Sequence, residues 1–366
     1  MNYLQAFRDE ALAHKLIHAI QAETRADRRY RLMEFCGGHT HAIFRYGLNH
    51  VLPNNIELIH GPGCPVCVLP IHRLDQAITY AKHPDTLLCS FGDMLRVPGS
   101  RKQSLLRAKT EGAQIEIIYS AADALKLAQE HPGKQVIFFA IGFETTTPPT
   151  ALIIKQAAQL KLDNLLIFNN HVITPAAIRA ILDSPNDLNI DALIGPGHVS
   201  TVIGSEAYTH LVNNYQRPIV VTGFEPLDIL HSILLLVRQL NEGRIEVENQ
   251  YRRAVDAKGN PKAQSLICEV FELRSQFEWR GLGLLPNSAL KIKPAYAQYD
   301  AEIQIPYAHQ SPALENKACA CGEVLRGLKK PNECEIFATS CTPETPIGAC
   351  MVSSEGACAA QYRYQR

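Results

Sequence analysis

Cysteine, glycine and histidine meet at one place in this chain: Cys36, Gly37, Gly38, His39, Thr40, His41. An apolar run through Leu32, Met33 and Phe35 stops at the thiol, two glycines allow a tight turn, and Ala42, Ile43 and Phe44 begin a helical pattern. That order predicts a strand, a turn and a helix start. A thiol at a helix N-terminus feels a partial positive charge, and His39 or His41 adds a positive or hydrogen-bonding neighbour, so Cys36 is expected as a thiolate, serving as nucleophile or metal ligand. The alternative is a buried cysteine that packs as a small hydrophobe.

Two further sulfur patterns follow. Cys64-Pro65-Val66-Cys67 is a Cys-x-x-Cys, a spacing that closes a disulfide with little backbone change and makes a thiol exchanger when one pKa is depressed. The alternative is half of a zinc site, against which stands the lack of a second Cys-x-x-Cys. Near the C-terminus come Cys319, Cys321, Cys334, Cys341, Cys350 and Cys358. Soft thiolates in this number suit an iron–sulfur cluster or zinc; four ligands are needed, and spacing alone does not choose them. The prolines and glycines around them (Pro331, Pro343, Pro346, Gly348, Gly356) leave few large apolar residues, so this segment gains order from a metal. Cys89 and Cys268 read as ordinary buried thiols.

These groups must be held by ordered elements. Short apolar runs near 31–35, 56–60, 86–90 and 115–119, and again near 136–141, 165–169, 191–194 and 218–222, alternate with helical segments. Thr147-Pro148 and Thr174-Pro175 read as helix starts, and Pro226 opens a helix closed by Gly243. The pattern predicts an α/β fold with two similar open parallel-sheet domains facing a cleft, over 31–134 and 135–243. Residues 244–366 are expected to form a third, cysteine-rich domain, with the amphipathic helix in 1–30 docked on it. Ligands of open parallel sheets bind beyond the carboxyl ends of the strands. There the sequence places Cys36 to His41, the 61–67 loop, Glu144, Thr145 and Thr146, His171, and His198, all candidate cleft residues.

Composition narrows the partners. Thirty-six Lys and Arg balance thirty-six Asp and Glu, so no overall field draws the 366-residue chain to nucleic acid or to an anionic membrane. No apolar stretch is long enough to span a bilayer, and the charges Arg8, Asp9 and Glu10 argue against a signal peptide. The expected location is the cytoplasm, where eleven cysteines are metal ligands or redox thiols sooner than structural disulfides.

Five motifs in order, Cys36-Gly-Gly-His-Thr-His41, Gly61-Pro-Gly-Cys-Pro-Val-Cys67, Gly142-Phe-Glu-Thr-Thr146, Gly197-His-Val-Ser200 and the terminal cysteine array with Gly348-Ala-Cys-Met-Val-Ser-Ser-Glu-Gly-Ala-Cys358, resemble the HypD family of nickel–iron hydrogenase maturation proteins. The resemblance covers essentially the whole chain, including Pro286-Asn-Ser288. It implies a scaffold and redox partner for assembly of the Fe(CN)2CO group. It implies a [4Fe-4S] cluster on Cys319, Cys334, Cys341 and Cys358, leaving Cys321 and Cys350 spare. It further implies a HypC-type chaperone that shares the iron while cyanide and carbon monoxide are added, cyanide supply from HypE with HypF, and transient contact with the hydrogenase large subunit. Cys36 matches the family's essential iron-binding thiol, with His39 as helper; Cys64 and Cys67 match its electron-relaying pair. The competing readings are a stand-alone iron–sulfur thiol-disulfide oxidoreductase, which needs no Cys36, and a zinc-stabilised scaffold, which is colourless.

Overall fold

In the computed structural model, residues 7–184, 189–307 and 316–364 are described. Among them the strands up to residue 250 are β1 (Tyr30–Glu34), β2 (Ile56–His60), β3 (Thr86–Ser90), β4 (Ile115–Ile117), β5 (Gln135–Gly142), β6 (Leu165–His171), β7 (Ala192–Pro196), β8 (Ile219–Thr222) and β9 (Val247–Asn249). They build two wholly parallel sheets, one ordered β2-β1-β7-β8-β9 and the other β4-β3-β5-β6. Central strands such as β5, Gln-Val-Ile-Phe-Phe-Ala-Ile-Gly, are apolar nearly throughout because helices cover both faces of a parallel sheet. Each sheet accordingly carries an apolar cluster on either side.

The expected division into consecutive halves is corrected here. The chain leaves the first sheet after β2, builds the whole of the second, and returns to the first at β7. Period and turn signals reveal strands and helices, but which parallel strands pair is settled by contacts distant in sequence, such as the Arg31 amide donating to Asp191 Oδ2 at 2.8 Å. Two crossings therefore join the sheets, and the loops beyond β1, β2 and β7 face those beyond β3 and β5.

The N-terminal helix also differs from expectation. Glu10–Glu23, the described part of the predicted segment, packs along the Pro226–Glu242 helix of the five-stranded sheet rather than on the cysteine-rich region. Ile20, fully buried, joins Ile233, Leu236 and Val237 in one cluster, and Asn241 Nδ2 donates to the Glu23 carbonyl at 2.6 Å. The apolar stripe finds a long apolar helix to cover, whereas the terminal region offers few large apolar side chains.

Beyond β9 the chain adds small antiparallel pairs, Phe271–Leu273 with Leu290–Ile292 and Gln276–Trp279 with Gly283–Pro286. Fully buried Trp279 donates from Nε1 to Ser288 Oγ at 3.0 Å. The cysteine-rich segment then folds back, its last helix, Ala357–Tyr364, lying against the Gly37–Arg45 helix. No helix among the described residues is long and apolar enough to cross a membrane.

Candidate functional site

β1 ends by presenting Cys36 at the N-cap of the Gly37–Arg45 helix. The Cys36 N–H donates to Glu34 Oε2 at 2.8 Å, while Glu34 Oε1 accepts from the Thr40 hydroxyl and from His60 Nδ1, the latter at 3.0 Å. Glu34 is fully buried, a carboxylate that ties the strand end, the helix start and β2 together.

Because β2 lies beside β1, the loop that follows it runs along the Cys36 turn. Gly37 N–H donates to the Gly63 carbonyl at 3.1 Å, and a Cβ on Gly63 would stand 2.4 Å from Cys36 N, so only glycine fits. One residue on, Cys64 caps the short Pro65–Val68 helix and is joined to Cys67 in a buried disulfide.

The other neighbour of β1 is β7, and the loops after β7 and β8 complete this side. His198 Nδ1 stands 4.0 Å from Cys36 Sγ. The His198 ring stacks on Phe224 with centroids 3.7 Å apart, and His39 stacks on the same phenyl ring at 4.6 Å. His39 is thus a support for Phe224 rather than the imidazole facing the thiol: its buried Nε2–H is shared between the Thr222 and Gly223 carbonyls at 3.1 and 3.0 Å.

Cys36 and His198 line a cleft of about 510 Å³ between the sheets. Opposite stand Phe143, Thr145 and Thr146 after β5 and Asp93 after β3, while Glu355 arrives from the cysteine-rich segment. The Glu355 Cβ lies where a side chain on Gly37 would be, 2.4 Å from an ideal Cβ there, which explains the first glycine of the pair.

Electrostatics correct the expectation of a resting thiolate. Burial pushes the Cys36 thiol far above its ordinary value, and the Glu355 and Glu34 carboxylates push it further; the helix amides of Gly38 and His39 pull the other way and lose. His198 is lowered, first by burial and then by His39. The resting pair is a neutral thiol beside a neutral imidazole, ringed by carboxylates.

Three further candidates lie outside the cleft. His41 turns to the C-terminal segment, with Nδ1 3.2 Å from the Ser354 carbonyl and Nε2 3.3 Å from the Tyr364 hydroxyl. Glu144 is buried and accepts from Thr174 N–H and Oγ1, each at 2.9 Å; burial raises it to about 7. His171 is fully buried between Asn169 Oδ1 at 2.6 Å and Thr150 Oγ1 at 3.4 Å, and burial lowers it to about 4. Both sit at strand ends, yet on the side where helices pack. Cys268 is exposed, not buried; Cys89 is buried in β3.

The six terminal cysteines converge on one small cavity lined also by Val324, Phe337 and Met351. Cys321 and Cys350 Sγ are 2.8 Å apart, while Cys334 and Cys341 Sγ accept from the N–H of Ala320 and Ile347 at 3.5 and 3.4 Å. Among the described residues no trio of His, Cys, Asp or Glu forms a ready-made site for a single metal ion. A lining whose donor side chains are all sulfur fits a soft, thiophilic group. The Ala349–Met351 turn, carrying Cys350, packs on the Pro65–Val68 helix, and both sets of cysteines share one apolar cluster.

The family model described as "Hydrogenase formation hypA family", HypD, matches residues 11–365. This chain belongs to the HypD family. It is 59% identical over 370 residues to the hydrogenase maturation factor HypD of Azotobacter vinelandii, covering 100% of this chain and 97% of that protein. The HypD of Cupriavidus necator is 55% identical over 371 residues, with 100% and 98% covered, and that of Escherichia coli (strain K12) 49% over 341, with 93% and 91% covered. The HypD motifs noted in the sequence adjoin one cleft and the sulfur array behind it. The sequence placed Glu34 in the Cys36 stretch and Phe224 in a strand-end loop at the cleft but gave neither of them, nor Glu355, a role of its own; Glu34 carried a signal, since residues two apart on a strand share a face with Cys36.

Proposed function

We propose that the chain is a scaffold and redox partner in assembling the Fe(CN)2CO group of nickel–iron hydrogenases, holding the iron on Cys36 together with a HypC-type chaperone and taking cyanide from HypE, which HypF supplies. The hydrogenase large subunit is the eventual recipient. The observation that carries this reading is the convergence of three sulfur sets: Cys36 on the cleft wall, the Cys64–Cys67 loop against its backbone, and the terminal array against the Pro65–Val68 helix.

Iron is the substrate here, and an iron bearing cyanide and carbon monoxide requires soft donors. The carboxylates that disfavour the Cys36 thiolate favour a cation, so metal arrival and loss of the thiol proton are coupled, with His198 Nδ1 the nearest imidazole nitrogen to receive it. Releasing cyanide from a thiocyanate-like carrier needs two electrons for the carbon–sulfur bond. Oxidation of the Cys64 and Cys67 thiols to their disulfide supplies both, with the carrier sulfur leaving as a thiol and cyanide passing to iron. The oxidised pair is the state seen. Cys319, Cys334, Cys341 and Cys358, which match the family spacing, would hold a [4Fe-4S] cluster. When bound, such a cluster supplies single electrons.

Cys36→Ala, purified anaerobically with its chaperone, tests the reading. Iron held by the complex should be lost while the visible absorbance of the terminal array persists. Retained dicyanide infrared bands would remove Cys36 from its role.

A further inference from the structure

The five-stranded sheet ends at β2, and among the described residues no strand pairs with its outer edge. Tyr30 N–H bonds the Asn55 carbonyl and Gly61 N–H bonds that of Glu34, a parallel register that turns the backbone groups of Glu57 and Ile59 toward β1 and those of Leu58 and His60 outward. Beyond the edge runs a groove of about 860 Å³, lined also by Lys330, Pro331 and Asn332, with Lys330 Nζ 3.7 Å from the Glu57 carboxylate. Arg29, Arg45 and His50 line it against one carboxylate, Glu57, which Arg31 already engages at 3.2 Å. Among the described residues Arg29 and Arg45 make no ion pair. Unpaired strand edges are templates for another chain, and a basic groove selects an acidic one.

We propose that this groove receives an extended acidic segment of a protein partner, added as a further strand on β2. Its backbone pairs with Leu58 and His60, and its carboxylates face Arg29 and Arg45. The seat is connected to the thiol site: His60 Nδ1 is 3.0 Å from Glu34, whose other oxygen holds the Cys36 N–H at 2.8 Å. A strand that orders His60 therefore fixes the Cys36 turn. The inference goes beyond the iron chemistry and does not depend on which residues hold metal.

The test uses the full chain and a fluorescent eight-residue peptide alternating Glu and Val, with a Lys-for-Glu counterpart, followed by anisotropy. The acidic peptide should bind at least about tenfold more tightly than the basic one, and Arg29→Glu with Arg45→Glu should weaken it about tenfold or more. Leu58→Pro removes an outward N–H while leaving the ladder to β1, and should weaken binding similarly. In the unaltered chain, peptide should slow hydrogen exchange at the Leu58 and His60 amides. No saturable binding, equal affinity for the two peptides, indifference to the double charge reversal, or unchanged exchange at both amides would each overturn the proposal.

Discussion

Cys36 Sγ stands 4.0 Å from His198 Nδ1, although 162 residues separate the two along the chain. Their strands, β1 and β7, are neighbours in register with Glu34 opposite Ile194, so the loops leaving both strands emerge side by side. The closeness of thiol and imidazole thus follows from the interleaved sheet order. Two consecutive halves would have put these residues in different sheets.

His198→Phe separates the two roles of that imidazole. A phenyl ring keeps the stack on Phe224 but has no nitrogen for the thiol, so the melting temperature should hold while iron retained with the chaperone falls about tenfold or more, the usual loss when a ligand's partner is removed. Undiminished iron in the variant would leave His198 as a stacking support only.

Gly63→Ala probes the contact between the thiol turn and the disulfide loop. The added methyl meets Cys36 N at 2.4 Å and Cys36 Cα at 2.5 Å, backbone atoms that cannot swing aside, and overpacking of this kind costs about 1–3 kcal/mol. Gly133→Ala, where nothing lies within 4 Å, is the control and should change stability by less than about 0.5 kcal/mol. Urea unfolding of both variants decides; equal midpoints would mean that the two loops do not abut.

Much of this was legible in residue order. The strand-turn-helix at Cys36 and the Pro226 to Gly243 helix declare themselves through local signals, an apolar run closed by glycines and a proline start with a glycine stop. Sheet order was not, because parallel strands of similar composition are interchangeable until distant groups such as Arg31 and Asp191 select them. His171 and Glu144 were assigned to the cleft because they lie at strand ends. A strand end has two sides, and theirs is the side where the Thr147–Leu160 and Thr174–Leu182 helices cover them and consume their hydrogen bonds. Glu355 reaches the cleft only after the tail folds back, a long-range fact with no local mark.

Cys334→Ser and Cys321→Ser distinguish ligand from bystander in the terminal array. Both sulfurs face the same cavity, but Cys321 is already partnered by Cys350 at 2.8 Å, whereas among the described residues Cys334 meets the Ala320 amide and the Ala318 carbonyl at 3.5 and 3.8 Å. Anaerobically purified Cys334→Ser should lose the visible absorbance and most of its iron; Cys321→Ser should keep both. The reverse pattern would exchange their assignments.

Glu144 and His171 should tilt stability with pH in opposite directions. Burial raises Glu144 from 4.5 to about 7, so the native chain holds a proton that the unfolded chain releases, and this stabilisation drains away as pH rises through that interval. Burial lowers His171 from 6.5 to about 4, so the native chain refuses a proton that the unfolded chain accepts, and stability is lost as pH falls from 6.5 toward 4. Between pH 5 and pH 8 each contributes a swing of about 2 kcal/mol. Urea unfolding of Glu144→Gln should therefore show the variant gaining on the parent chain as pH rises, and His171→Gln should show it gaining as pH falls. Any hydrogen bond lost to the substitution adds an offset that does not vary with pH, so the slope alone carries the result. A flat difference for Glu144→Gln would mean that its carboxyl titrates alike in both states, its two bonds from Thr174 offsetting its burial.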